Sequence, residues 1–157
     1  PRPHIVLVLF FAAQVCFANQ ISFQIVQHDD RTDKVSEDSY VVEDELLNGF
    51  FETGYIITNS PTVVSDSEEN DQILYNKALG DAYEGSSDYF IQIVLYYTNV
   101  LKKAEWTISS AKNGKAITKG QLENTDSIID KKSLVKFSTK LSTEITGYFN
   151  SNGTKGW

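Results

Sequence analysis

The stretch YFIQIVLYYTNV, at Tyr89–Val100, is the most strand-like part of the sequence. Most of its residues are apolar, and many are aromatic or β-branched, which favours a strand that is covered on both faces. We therefore expect it to form the middle strand of a sheet, with helices packed on each side.

Two further strands are predicted before it. Ile21–His28 (ISFQIVQH) alternates apolar and polar residues, which predicts a strand with one buried face. Tyr55–Asn59 begins as a β-branched run, and Pro61 follows it. Because proline cannot donate a ladder hydrogen bond, Pro61 marks the end of this strand, an edge or a bulge.

Two amphipathic helices are predicted between these strands. The first begins after Ser36, which suits an N-cap, and ends near Gly54. The second follows an acidic loop at Ser65–Asp71 and ends near Gly85. Their apolar faces consist of Val42, Leu46, Leu47, Phe50 and Phe51 in the first helix, and of Ile73, Leu74, Ala78, Leu79, Ala82 and Tyr83 in the second.

The rest of the chain predicts a hairpin and a third helix. Trp106–Ala111 and Ala116–Leu122 flank an Asn-Gly pair, which predicts a type I′ turn. The third helix runs from about Ser127 or Lys131 to Phe149. The resulting order, β-α-β-α-β-β-β-α, predicts an α/β (mixed α+β) sandwich in which the early strands pair in parallel and the hairpin forms an antiparallel edge.

The first 18 residues have the pattern of a secretory signal peptide. Arg2 precedes an apolar run, Ile5–Ala18, which is shorter than a membrane span and ends in small residues that suit a cleavage site. Lipidation of Cys16 fits less well because Val15 precedes it, and a buried N-terminal strand or helix is the alternative to export. We expect a signal peptide at 1–18, one domain at 19–149 and a flexible tail at 150–157. Since the sequence contains no Met, we also expect the precursor to begin further upstream.

Composition limits the compartment and the partners. Cleavage after Ala18 would remove the single Cys, and with it any disulfide, thiolate metal site or cysteine nucleophile. We therefore expect an exported protein that is periplasmic or associated with the outer membrane of a bacterium. The net charge of −7 argues against nucleic acid as a partner.

Charge is unevenly distributed along the chain. Residues 19–100 contain 16 acidic and 3 basic side chains, whereas residues 101–157 contain 5 acidic and 10 basic ones. This split predicts a domain with two oppositely charged sides. The candidate partner-binding residues are Lys132, Lys136 and Lys140 on the third helix, and Glu37, Asp44 and Glu45 on the first. They could dock an anionic partner, whether an acidic protein surface or lipid headgroups, or simply form solvated helix faces.

The sequence offers few candidates for catalysis, and it predicts no cofactor and no metal site. His28 is the one histidine after residue 18, and its neighbours Asp29 and Asp30 would point to alternating sides of a strand. The carboxylates that a hydrolase could use are Glu43, within the apolar face of the first helix, and Asp88.

Several segments together resemble the small α/β domain of bacterial envelope accessory proteins. They are GFFETGYIITNSP at Gly49–Pro61, GSSDYFIQIVLYY at Gly85–Tyr97, and the Lys-Asn-Gly-Lys hairpin. Similar domains occur in CsgG-like outer-membrane assembly lipoproteins, in the penicillin-binding-protein activator LpoB, in FlgO-type proteins and at the N-terminus of TolB. The chain departs from this group because it has no typical lipidation cysteine and no room for the pore-forming hairpins of the CsgG type.

The resemblance implies an exported, non-catalytic accessory module that binds another envelope protein, and it implies no catalytic residue. Proximity to a membrane surface is a further possibility that we consider, and the oligomeric state stays open. Two alternatives from other classes remain, which are a small envelope hydrolase that uses carboxylates and a carrier of a ligand or lipid.

Overall fold

Six strands and three helices form the part of the chain that the computed structural model describes, residues 19–125 and 130–152. The elements are β1 (Gln20–His28), α1 (Glu37–Glu52), β2 (Ile56–Asn59), β3 (Val63–Ser65), α2 (Glu68–Glu84), β4 (Tyr89–Tyr97), β5 (Leu101–Ser110), β6 (Ala116–Glu123) and α3 (Lys131–Asn152). The predicted signal peptide at 1–18 and the end of the predicted tail, residues 153–157, lie outside the described residues.

The strands form one mixed sheet in the order β2-β1-β4-β5-β6, and β3 pairs with β1 beyond the end of β2. β1 pairs in parallel with β2, β3 and β4, whereas the pairs β4–β5 and β5–β6 are antiparallel. The predicted α/β fold, with parallel early strands, β4 in the middle and an antiparallel hairpin at one edge, is confirmed.

Helices cover both faces of the sheet. α1 and α3 share a core with one face of the strands, and that core includes Phe23, Leu46, Ile93 and Leu141, all fully buried. α2 packs on the opposite face through Ala78 and Ala82. The middle strand β4 is therefore buried from both sides, as its apolar sequence predicts.

α1 and α3 lie side by side and run in the same direction. Residues near the start of α1 line a shallow groove with residues near the start of α3, and Phe50 packs against Phe149 near their ends. The approach is close at Gly49, where an added Cβ would lie 1.9 Å from the Ser142 Oγ. Small residues on both helices allow this approach, since Ser138, Ser142 and Thr146 line the buried surface of α3.

The predicted helix ends are mostly correct. Ser36 caps α1 by accepting a hydrogen bond from the Ser39 N–H, and Gly54, with φ of 81°, turns the chain from α1 towards β2. α2 begins at Glu68, so most of the predicted acidic loop belongs to its first turn. α3 extends to Asn152, three residues past the predicted end.

Three apolar residues that were expected in helix faces are instead exposed. Phe51 is 80% exposed, Ile73 61% and Tyr83 60%. The α2 stripe that meets the sheet is centred on Ala78 and Ala82, and both Ile73 and Tyr83 lie more than a quarter of a turn away from it. The expected burial of these side chains is therefore wrong.

Two strand boundaries and one turn also differ from the prediction. β4 ends at Tyr97, three residues before the predicted Val100, and a tight turn at 98–100 lets β5 begin at Leu101, before the predicted Trp106. Pro61 lies between β2 and β3, as expected of a residue that marks the end of a strand. In the hairpin, Gly114 has a φ of 69° but Asn113 does not have a positive φ. The Gly114 N–H donates to the Ser110 C=O at 2.9 Å. Five residues, 111–115, separate the end of β5 from the start of β6. The predicted type I′ turn is therefore wrong.

Candidate functional site

Three lysines form a row along the outer surface of α3. Lys132, Lys136 and Lys140 are all exposed and follow one another at four-residue intervals, on the side of the helix opposite the buried Leu141 and Ile145. Within the described residues, none of the three forms an ion pair. The sequence therefore identified a continuous positively charged row on an exposed helix face.

The acidic candidates on α1 lie on the same helical surface. Glu37 and Asp44 are exposed, whereas Glu45 is half-buried between the helices and accepts a hydrogen bond from the Thr139 Oγ1 at 3.2 Å. Because α1 and α3 are neighbours, the lysine row and the acidic flank share one face of the domain and do not occupy opposite sides of it.

A shallow groove separates the first turns of α1 and α3. It has a volume of about 230 Å³, and its lining residues are Glu37, Asp38, Val41, Asp130, Lys131 and Leu134. Asp130 caps α3, since its carboxylate accepts from the Ser133 N–H at 2.8 Å, and these hydrogen bonds lower the pKa of Asp130. Both charge signs thus meet where the two helices begin.

A second polar region lies at the carboxyl ends of the parallel strands. The acidic residues at this edge are Asp29, Asp30, Asp33, Glu37, Asp38, Asp66, Glu68, Glu69 and Asp71. An open cavity of about 820 Å³ lies between the loop after β1 and the end of β3. From β1 the chain adds β2 and β3 on one side and then β4 on the other side, so the order of the strands reverses between β1 and β4. Open α/β sheets commonly bind ligands at the carboxyl ends of the strands at such a point.

Asp29 and Arg31 form an ion pair at the rim of this cavity. Two guanidinium nitrogens of Arg31 lie 2.8 Å from the carboxylate oxygens of Asp29, whose side chain is only 1% exposed. Hydrogen bonding to Arg31 lowers the pKa of Asp29. Arg31 also donates to the Asn99 C=O at 3.1 Å, so the pair holds the loop after β1 against the β4–β5 turn.

His28 and Asp71 connect β1 to the first turn of α2. The His28 Nε2 lies 2.8 and 2.7 Å from the two carboxylate oxygens of Asp71 and donates to them. The ring of Tyr96 lies 5.0 Å from the ring of His28. The sequence did not show this pair, because Asp71 was assigned to a loop. Ser67, the N-cap of α2, was the signal that could have placed Asp71 in the first turn of the helix.

Tyr96 continues this network onto β5. Its hydroxyl donates to the Glu105 Oε2 at 3.1 Å, and Lys103 forms an ion pair of 2.7 Å with Glu105. Burial raises the pKa of Tyr96 to about 12, helped by the hydrogen bond to Glu105, whereas hydrogen bonding to Lys103 lowers the pKa of Glu105. These groups satisfy one another and fix α2 and β5 on the sheet.

The two carboxylates considered for hydrolysis are far apart. Asp88 accepts a hydrogen bond from the Gln20 N–H at the beginning of β1. Glu43 accepts one from the hydroxyl of Thr62, the neighbour of Val63, which pairs with Val26 near the end of β1. Six residues of strand separate these points, or about 20 Å. The structure therefore does not bring Glu43 and Asp88 together.

In residues 19–125 and 130–152, no group of three or more His, Cys, Asp or Glu side chains has an arrangement that could hold a metal ion. His28, Asp29 and Asp30 do not converge, since His28 binds Asp71 and Asp29 binds Arg31. None of the described helices combines the length and the apolar character that a membrane span requires.

The chain belongs to a family of uncharacterised proteins, whose family model matches residues 20–150. That range covers all six strands and most of α3. No curated protein sequence matches the chain.

Several solved structures have a similar fold. Lipoprotein GNA1162 from Neisseria meningitidis is 10% identical, with a TM-score of 0.45 over 89% of this chain and 99% of that one. TolB from Acinetobacter baumannii is 14% identical, with a TM-score of 0.45 over 87% of this chain and 29% of that one. The LpoB C-terminal domain from Salmonella enterica is 11% identical, with a TM-score of 0.42 over 73% of this chain and 88% of that one.

TolB and LpoB are two of the envelope proteins that the sequence resembles. Both are thus among the solved structures to which this chain is similar.

Proposed function

We propose that the chain is an exported, non-catalytic accessory module of the bacterial cell envelope that binds another protein through the exposed surface of α1 and α3. The observation that carries this proposal is the row of Lys132, Lys136 and Lys140, which is exposed, forms no ion pair with a described residue and lies beside an acidic helix. A partner with an acidic surface would complement the row.

The position of the row also supports the proposal. The lysines lie on the α3 face opposite the core, so their substitution should leave the buried side of α3 unchanged. Such charges act mainly on the rate of association and on the choice of partner, and salt weakens them. The interaction should therefore weaken as ionic strength rises.

Charge reversal tests the proposal. The tagged full chain, a Lys132→Glu/Lys136→Glu/Lys140→Glu variant and a Lys102→Glu/Lys112→Glu/Lys115→Glu variant would be crosslinked in the native envelope, purified, and compared by mass spectrometry. The second set of lysines is also exposed. Both variants replace three lysines by glutamate, so they change the net charge equally. We expect a partner that is lost only from the first variant. Equal recovery of partners by both variants would contradict the proposal.

Export needs a separate measurement. We expect the protein from the envelope fraction to begin at Asn19, because cleavage after Ala18 fits the signal-peptide pattern. Intact-mass analysis of the purified protein would show the start of the chain. Recovery from the cytosolic fraction with residues 5–18 still attached would contradict export.

A further inference from the structure

The two edges of the sheet differ in how well they are protected. On one side, β2 and β3 have four and three residues and are separated by a break that contains Pro61. On the other side, β6 has eight residues and contains no proline. Short strands and proline are among the devices by which natural sheets prevent pairing with another chain, and β6 has neither of these two.

The outer side of β6 has backbone groups available for pairing. The Asn124 N–H donates to the Lys102 C=O at 2.7 Å. In an antiparallel ladder, every second residue of a strand directs its backbone N–H and C=O towards the same neighbouring strand. Leu122 and Gly120 therefore also direct their backbone groups towards β5. Lys119, Gln121 and Glu123 must then direct theirs away from it. Among the described residues, β5 is the one strand that pairs with β6.

The side chains of these outward residues make the edge complementary to itself. Lys119, Gln121 and Glu123 are all exposed, and in the single copy neither Lys119 nor Glu123 forms an ion pair with a described residue. An antiparallel pair of two β6 strands, centred on Gln121, would place Lys119 of each copy opposite Glu123 of the other. Opposite charges at facing positions of a sheet stabilise the pair, and like charges destabilise it.

Other registers fit less well. Centring the pair on Lys119 would place two lysines opposite each other. In a register shifted by one residue, the residues of one copy that direct their backbone groups away from β5 would face residues of the other copy that direct theirs towards β5. No ladder of hydrogen bonds could then form between the two copies.

We propose that the chain pairs with a second copy of itself through β6, antiparallel and centred on Gln121, so that one sheet continues across both copies. This goes beyond the proposed binding of an envelope protein, because it uses the sheet edge and not the surface of α1 and α3. The two copies would be related by a two-fold axis, and each would contribute the same residues.

A charge-swap experiment tests the pairing. The full chain, Lys119→Glu, Glu123→Lys and a 1:1 mixture of both variants would be compared by sedimentation velocity over a range of concentrations. We expect the wild-type chain to dimerise, each variant alone to bind itself at least about tenfold more weakly, and the mixture to recover wild-type dimerisation. The exposed loop residue Lys112 provides a matched control, and Lys112→Glu should dimerise like the wild type.

Hydrogen exchange locates the contact. In the dimer, the amides of Lys119, Gln121 and Glu123 should exchange more slowly as protein concentration rises, while those of Gly120 and Leu122 should be protected at all concentrations. A wild-type chain that stays monomeric would overturn the proposal. A dimer whose stability does not respond to the charge swap would overturn it as well, because its contact would lie elsewhere.

Discussion

Gly120 shows how closely the edge hairpin packs against the core. A Cβ at this position would lie 2.2 Å from the Cζ2 of the buried Trp106 ring. We therefore expect Gly120→Ala to lower the free energy of unfolding by about 1–3 kcal/mol, because the rigid ring must move. Urea unfolding would measure the change.

Gly80 supplies the control for that substitution. It lies within α2, and no described heavy atom outside its own helix lies within 4 Å of an added Cβ. Gly80→Ala should raise the free energy of unfolding by about 1 kcal/mol, since alanine is the better helix former. Equal effects of the two substitutions would show that the contact with Trp106 has no energetic weight.

The pairing of His28 with Asp71 should be visible in a double-mutant cycle. Asp71 is only 8% exposed, so His28→Ala leaves a buried carboxylate without its donor and should cost about 1–3 kcal/mol. The double variant His28→Ala/Asp71→Asn should be less unstable than the two single effects added together, by about 0.5–3 kcal/mol. Strictly additive unfolding free energies would mean that the pair contributes nothing.

Asp29 should make the stability depend on pH in the acid range. Hydrogen bonding to Arg31 lowers its pKa in the folded protein, so the folded state favours the ionised carboxylate. This contribution is fully present above the unfolded pKa of about 4 and is lost as pH falls through the lower folded pKa. Urea unfolding between pH 5 and pH 2 should therefore show a shallower loss of stability in Asp29→Asn than in the wild type, and identical slopes would contradict this.

At the scale of elements, a buried polar network joins the start of α1 to the sheet. Gln27 is fully buried, and its side-chain oxygen accepts from the Ser36 N–H at 2.9 Å and from the Ser39 hydroxyl at 2.7 Å. Its amide nitrogen donates to the Lys34 C=O at 3.1 Å. The network therefore supports both the loop after β1 and the cap of α1.

Replacing Gln27 by leucine should be costly. The change removes the hydrogen bonds of Gln27 to the half-buried Ser36 N–H and to the buried Ser39 hydroxyl, so the free energy of unfolding should fall by about 1–3 kcal/mol. Hydrogen exchange should also become faster in the first turn of α1. The matched variant Gln72→Leu, at an exposed position on α2, should change stability by less than about 0.5 kcal/mol. A similar small effect for Gln27→Leu would contradict the structural role.

Local patterns predicted the elements well. Ser36 and Gly54 marked the ends of α1 because capping and positive φ depend on a few adjacent residues. The apolar run at Tyr89–Tyr97 indicated the middle strand because burial on both faces leaves no alternation. Local order, element type and sheet polarity thus followed from the residues themselves.

Tertiary contacts account for what the sequence did not show. The exposure of Ile73 and Tyr83 depends on which stripe of α2 meets the sheet, and the small residues Ala78 and Ala82 determine it. Similarly, the sequence suggested the lysine row through its spacing, but the pair of His28 and Asp71 joins residues 43 positions apart. Periodicity carries no information about such distant pairs.

At the scale of the molecule, the described residues form a hydrophobic core of their own. Its buried residues run from Ile21 to Phe149, and both helical layers belong to this range. We therefore expect a chain that starts at Asn19 to melt within a few degrees of the full chain. Thermal unfolding followed by circular dichroism would measure this, and a large loss of stability would mean that residues 1–18 belong to the fold.

The parallel arrangement of α1 and α3 places both ends of the described domain on the same side. β1 begins beside Asp88, just before β4, while Phe149, near the end of α3, packs against Tyr89 at the start of the same strand. An anchor attached to either terminus would thus hold the domain from the side where β1 begins and α3 ends. The acidic edge at the carboxyl ends of the parallel strands would then face away from the anchor. Its distance from the anchor would be about the length of α1 and α3.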